Sequence, residues 1–147
     1  MYKNHEGYAD PTAGTVMSNM MREFKAEQRK NWMRQYELRS RLKVYIVSKY
    51  AGDTETNVQN ALEYCRFAIK KRRIPFASHL LYPQMLDDNV EAEREIGTQY
   101  GLAWLRVCDE IWCFGTERSP GMERELQEAK RLDKQIRYFT EDMEEVT

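Results

Sequence analysis

From residue 43 onward the chain alternates short apolar runs with longer amphipathic ones, and this alternation restricts the fold more than any other feature. "KVYIVSKYAG" (43–52) reads as a strand of β-branched and aromatic residues ending in a glycine turn. Residues 53–72 read as a helix with Val58, Ala61, Leu62, Cys65, Ala68 and Ile69 on one stripe. A short strand, "IPFASH" (74–79), leads into a long loop, "LLYPQMLDDNV". A helix over 91–107 follows, expected to turn Ile96, Tyr100, Ala103, Trp104 and Val107 inward. "EIWCFG" (110–115) is almost continuously apolar, as a strand covered on both faces requires. A helix over 120–133 and a strand, "QIRYF" (135–139), complete the series. Crossovers of this length connect parallel strands and place helices on both faces of one sheet. The expected fold class is therefore α/β, a three-layer Rossmann-like or flavodoxin-like domain over 43–140 with four to five parallel strands.

The segments outside that domain have a different character. Residues 1–14 read as a flexible leader, with Pro11 and Gly14 near its end. Residues 15–42 hold no Gly or Pro and read as a long amphipathic helix carrying Met17, Met20, Met21, Phe24, Trp32, Met33 and Tyr36. Residues 1–42 carry eight Lys/Arg against five Asp/Glu, and 141–147 form an acidic tail. The overall net charge of −1 disfavours duplex DNA as a bulk electrostatic partner, so nucleic acid is not an expected partner. An apolar helix side needs cover, which makes a homo-oligomer joined through the N-terminal helix the expected assembly.

Cys65, Cys108 and Cys113 form no pair motif and read as reduced thiols. Two distant histidines give no zinc pattern, and neither a metal nor a cofactor is expected. No run reaches membrane-spanning length and "MYKNHEGYADPTAGT" has no signal-peptide apolar region, so a cytoplasmic protein is expected.

In an open parallel sheet a ligand sits beyond the carboxyl ends of the strands, near the point where strand order reverses. "SKYAGD" (48–53), "SHLLYPQMLDD" (78–88) and "GTERSPGMERE" (115–125) should converge there. In the first loop Ser48, Lys49, Tyr50, Gly52 and Asp53 precede a helix start, a setting suited to a phosphate or a ribose or simply to a capped turn. His79 stands at the end of the second strand, and Tyr82 and Met85 lie where they could wall a base. In the third loop Ser119, Gly121 and Met122 begin a helix bearing Glu123, Glu125 and Glu128. Glu125 lies one turn in, where the helix N-terminus is expected to lower its pKa and keep it ionised. Such a carboxylate can attack an anomeric carbon or stabilise an oxocarbenium-like centre, or can be an ordinary helix-start charge.

"CDEIWCFGTERSPGMERELQEA" resembles the C-terminal motif of the nucleoside 2-deoxyribosyltransferase superfamily, which includes the 2′-deoxynucleoside 5′-phosphate N-hydrolases. The matching positions are Asp109, Ser119, Gly121, Glu125 and Ala129, and "VYIVSKYAGD" is similar to the superfamily's first strand and ribose- and phosphate-facing loop. The loops "SKYAGD" and "SHLLYPQMLDD" look most like a branch found in bacterial and phage genomes. The resemblance covers roughly residues 43–140. It implies a small-molecule nucleoside or nucleotide ligand, Glu125 as nucleophile on C1′, and a site often completed by a neighbouring subunit. It also implies a second carboxylate assisting the leaving base, but that position falls on Gly101, leaving Tyr100, His79, Asp87 or Asp88 as substitutes. The branch's loop Arg is replaced by Ala51, and its Pro by Lys49.

Two functions follow as expectations. One is cleavage or exchange of an N-glycosidic bond with Glu125 as nucleophile. The other is non-catalytic binding of a nucleotide or ADP-ribose derivative, as a sensor or a phage-type sequestering protein.

Overall fold

The computed structural model describes Lys3, Glu6, Gly7 and residues 11–147, and the chain divides into two units after Ser40. The helix described in the first unit is α1 (Pro11–Arg39), so residues 11–14 of the expected leader are helical, with Pro11 at a helix start where its missing N–H costs nothing. The rest of that leader, apart from Lys3, Glu6 and Gly7, lies outside the described residues. No residue of α1 is buried; Met20, Phe24, Trp32, Met33 and Tyr36 are each more than half exposed.

The second unit is the expected α/β layer structure. Its elements are β1 (Lys43–Val47), α2 (Thr54–Lys70), β2 (Ile74–Phe76), α3 (Glu91–Val107), β3 (Glu110–Phe114), α4 (Pro120–Arg131), β4 (Gln135–Phe139) and β5 (Glu145–Val146). The sheet order is β2-β1-β3-β4-β5, with the first four strands parallel. Alternation along β1 sorts its side chains. Tyr45 and Val47 join Leu102 and Leu105 of α3 and Met122, Leu126 and Ala129 of α4 on one face. Val44 and Ile46 join Tyr64 and Ala68 of α2, together with Trp112, Phe114 and Phe139, on the other.

Several expectations need correction. The first strand stops at Val47, and "SKYAG" is a loop. The second strand ends at Phe76; Ser78–Leu80 is a 3-10 turn, so His79 belongs to the loop rather than the strand. In α2 the buried stripe is Ala61, Tyr64 and Ala68, while Leu62 and Ile69 face outward. In α3 the buried face is Gly101, Leu102 and Leu105, and Ile96, Tyr100, Ala103, Trp104 and Val107 are exposed. The physical reason is that Gly101, lacking a side chain, lets the helix sit close to Tyr45 and Ser78. The larger stripe is carried to the flank, where Trp104 stacks on Phe76 at 5.1 Å and donates its indole N–H to the Tyr82 hydroxyl at 2.7 Å.

Part of the acidic tail folds back through a turn in which the Thr140 N–H donates to Glu144 O, and β5 pairs antiparallel with β4. Arg137 holds Glu145 through two bonds of 2.8 and 2.7 Å. The three cysteines are free; burial pushes each thiol up to about 11. Among the described residues no helix is long and apolar enough to cross a membrane.

Candidate active site

The carboxyl ends of β1 and β3 open into a cleft of about 380 Å³, a volume suited to a small organic ligand. It lies where the connections diverge, β1 being flanked by β2 on one side and β3 on the other. All three expected loops contribute: Ser48 and Tyr50 from the first, His79 and Tyr82 from the second, Ser119 and Gly121 from the third.

Glu125 reaches the cleft from the second turn of α4. That helix starts at Pro120 because the Ser119 hydroxyl accepts the Met122 N–H at 3.3 Å and replaces a missing intrahelical partner. Met122 and Ala129, three residues before and four after Glu125, are buried against the sheet and carry Glu125 down with them. Its Oε2 is buried and has no hydrogen-bond partner. Burial pushes the carboxyl up to about 7, with the Tyr45 hydroxyl and the Arg124 guanidinium pulling the other way. The expected lowering by the helix N-terminus is thus overturned. Glu125 lies past the first turn, where the dipole fades, and loss of water outweighs what remains.

Beside it, the Tyr45 hydroxyl donates to Ser78 Oγ at 3.0 Å. Burial and the neighbouring Glu125 charge raise the Tyr45 phenol well above its usual value. Gly101 backs onto this pair. A Cβ there would stand 3.2 Å from the Tyr45 hydroxyl oxygen and 3.3 Å from Ser78 Cβ. The space that a side chain at 101 would need is therefore filled by two hydroxyl-bearing residues.

On the β1-loop side, His79 is buried, stacks on Tyr50 at 5.6 Å, and sets Nε2 3.2 Å from Ser48 Oγ. Burial pulls the imidazole down to about 4, so it is neutral at physiological pH. Of the substitutes named for an acid at 101, His79 and Asp88 line the cleft, whereas Tyr100 and Asp87 do not. Tyr82 lines it; Met85 is exposed outside it.

Three candidate ligand residues stand apart from the cleft lining. Lys49 pairs with Glu117 at 3.5 Å on the surface. Gly52, at φ +97°, makes the turn into α2, and Asp53 caps that helix by accepting from the Thr56 N–H and hydroxyl. Gly52 and Asp53 thereby shape the turn that leads into α2. The sequence reading missed Tyr45, Ser78, Arg94, Thr98 and Arg124, which also line the cleft. Period-two alternation could have placed Tyr45 on the α3 and α4 side; nothing local marks Ser78. Among the described residues no group of three or more His, Cys, Asp or Glu could hold a metal ion.

Comparison with known proteins finds that residues 42–139 match the model of a domain of unknown function, DUF7768. No curated protein matches the sequence. Among solved structures, a 2-deoxyribosyltransferase from Bacillus psychrosaccharolyticus is similar, with 17% identity over 67% of this chain and 72% of that one and a TM-score of 0.53. A 2-deoxyribosyltransferase from Leishmania mexicana is similar at 16% identity, 67% of this chain, 64% of that one and a TM-score of 0.51. The CMP N-glycosidase BcmB of Clostridium botulinum gives 16% identity, 67% and 68% coverage, and a TM-score of 0.43. The likeness is one of fold: this chain has a nucleoside 2-deoxyribosyltransferase-like fold.

Proposed function

The chain belongs to the DUF7768 family, a domain of unknown function, and from its own site we propose that it cleaves or exchanges an N-glycosidic bond in a nucleoside or nucleotide, with Glu125 as nucleophile. One observation carries this reading: a buried carboxylate oxygen, Glu125 Oε2, lines the cleft with no protein partner. A buried polar atom left unpaired destabilises the fold, so its retention points to a bound group that uses it. The 2-deoxyribosyltransferases that share the fold lend further support.

The chemistry proceeds in two steps. Ionised Glu125 attacks C1′ as the base leaves with the electron pair of the C1′–N bond, forming a glycosyl ester. Water or a second base then displaces the carboxylate, which returns to its starting state. Ser48, Tyr50, His79, Ser119, Gly121 and Met122 form the ligand-binding wall, with Lys49, Gly52 and Asp53 holding the first loop behind it.

A second reading, binding without turnover, is favoured by one fact: near pH 7 about half of the Glu125 carboxyls carry a proton and are poor nucleophiles. The test is incubation with a panel of nucleosides and nucleoside 5′-monophosphates, followed chromatographically. Free base should appear, and Glu125→Ala should abolish it. Tight retention of one panel member with no base released from any supports the binding reading instead. We also propose that copies of the chain associate through α1.

A further inference from the structure

We infer that the site takes a base that already carries positive charge, of the N-glycosylpyridinium kind; the inference deepens the N-glycosidic reading above and rests on it. A neutral base departs from C1′ as an anion unless a proton reaches it, and a positioned acid speeds such a step about a hundred- to ten-thousandfold. A cationic base departs neutral and needs no acid.

Among the described residues, the cleft lining has no group set to deliver that proton to a base held at Glu125. Position 101, where an assisting carboxylate was expected, is a glycine, and even a Cβ there would stand 3.2 Å from the Tyr45 hydroxyl oxygen. When Glu125 is ionised, the Tyr45 hydroxyl gives its one proton to that carboxylate, and Ser78 donates to the tyrosine oxygen 3.0 Å away. The Tyr82 hydroxyl lies out on the flank of α3, where it accepts the Trp104 indole N–H at 2.7 Å. Ser48 faces His79 Nε2, Ser119 caps α4, and loss of a proton would leave either as an alkoxide. His79 is neutral, and a guanidinium keeps its protons in a protein, which sets aside Arg94 and Arg124. Glu93 lies eight residues, about 12 Å of helix, before Gly101, and Asp88 precedes the helix altogether.

What the lining does supply suits a cationic ring. Asp88 and Glu93 bring negative charge, and Tyr50, stacked on His79 at 5.6 Å, brings an aromatic surface of the kind that attracts cations. Arg94 and Arg124 suit an anionic substituent on the same ligand, such as a 5′-phosphate. In the reaction, a Glu125 oxygen bonds to C1′ as the C1′–N bond breaks, and the electron pair of that bond neutralises the ring nitrogen. Water then adds its oxygen to C1′, the carboxylate is released, and one proton of that water passes to solvent. No proton goes to the base and no redox partner is required.

The experiment measures kcat/KM for nicotinamide riboside and 7-methylguanosine against guanosine and the other uncharged members of the panel. Each is offered as riboside and 2′-deoxyriboside, with and without a 5′-phosphate, and spontaneous release is subtracted. Guanosine and its 7-methyl derivative differ by one methyl and one charge, which isolates the charge of the leaving group. The cationic substrates should be favoured by about a hundredfold or more, the scale of a missing general acid. Glu125→Ala, with folding intact by circular dichroism, should abolish their cleavage. An uncharged member cleaved within about tenfold of the cationic ones overturns the inference and leaves the N-glycosidic reading standing. Release from no substrate, or release that Glu125→Ala leaves unchanged, overturns both.

Discussion

Glu125 and His79 are both taken out of water in one cleft, and burial moves them in opposite directions along the pH axis. The Glu125 carboxyl rises from 4.5 to about 7 and the His79 imidazole falls from 6.5 to about 4. For the acid, folding favours the protonated form. Its stabilising contribution is complete below about 4.5 and disappears as pH rises through 7. For the base, folding favours the neutral form. Its contribution is complete above about 6.5 and disappears as pH falls through 4. Each shift corresponds to about 3 kcal/mol, so between 4.5 and 6.5 the two slopes oppose one another and the total should be nearly flat. Glu125→Gln, which cannot ionise, should therefore gain on wild type by up to about 3 kcal/mol at pH 8 and by almost nothing at pH 4, measured by denaturant titration. An advantage of equal size at both pH values would rule out ionisation as its source. Because the nucleophile must be ionised, kcat/KM for base release should climb with an apparent pKa near 7 and level off above it. The position of Glu125 was legible in its offset from Gly121. Its protonation was not, because it is set by burial and by the Tyr45 hydroxyl of β1, which comes beside it only in the folded chain.

At the level of the element, α3 carries the most information about what a sequence pattern can and cannot convey. Its existence and its limits, 91–107, follow from helical periodicity, and the structure has a helix over the same residues. Its orientation does not follow, since Ile96, Tyr100, Trp104 and Val107 make a more hydrophobic stripe than the face that is actually buried. The deciding residue is a glycine, which contributes nothing to any hydrophobic pattern. Two glycines of this helix therefore make a matched pair. At Gly97 an added Cβ would meet only Leu86 Cδ1 at 3.5 Å and Tyr82 Cβ at 3.8 Å, ordinary contacts. Gly97→Ala should raise stability by up to about 1 kcal/mol through helix propensity alone. At Gly101 the same methyl would press on Tyr45 and Ser78 at 3.2–3.3 Å, and the overpacking cost of about 1–3 kcal/mol should cancel or exceed that gain. Thermal unfolding should thus rise for Gly97→Ala and hold or fall for Gly101→Ala, and base release should fall only for Gly101→Ala. Parallel shifts in Tm would mean that α3 is not seated on the Tyr45–Ser78 pair.

For the whole molecule the question is what α1 is for. Among the described residues this helix of 29 residues has none buried, and helices in proteins depend on tertiary packing more than on propensity. Its apolar side chains Met20, Phe24, Trp32, Met33 and Tyr36 are each more than half exposed, and Trp32 stacks on Tyr36 of the same helix, at 5.5 Å. The sequence made that surplus visible, because the spacing of these residues is helical and no Gly or Pro interrupts 15–42. What covers the surplus is a property of an assembly, and a single chain's pattern does not encode it. A second copy is the partner whose apolar surface is guaranteed to match in kind, and isologous pairing of one helix with its twin buries the same stripe twice. Light scattering should accordingly give a mass above that of one 17.6 kDa chain at micromolar concentration. Met20→Glu combined with Phe24→Glu should lower that mass and reduce helical circular dichroism, because α1 loses its cover. Tyr100→Glu with Val107→Glu, which charges the exposed stripe of α3 instead, should leave both readings unchanged. A wild-type mass of one chain would exclude self-association; a mass lowered by the α3 pair and not by the α1 pair would move the interface to the flank of the cleft.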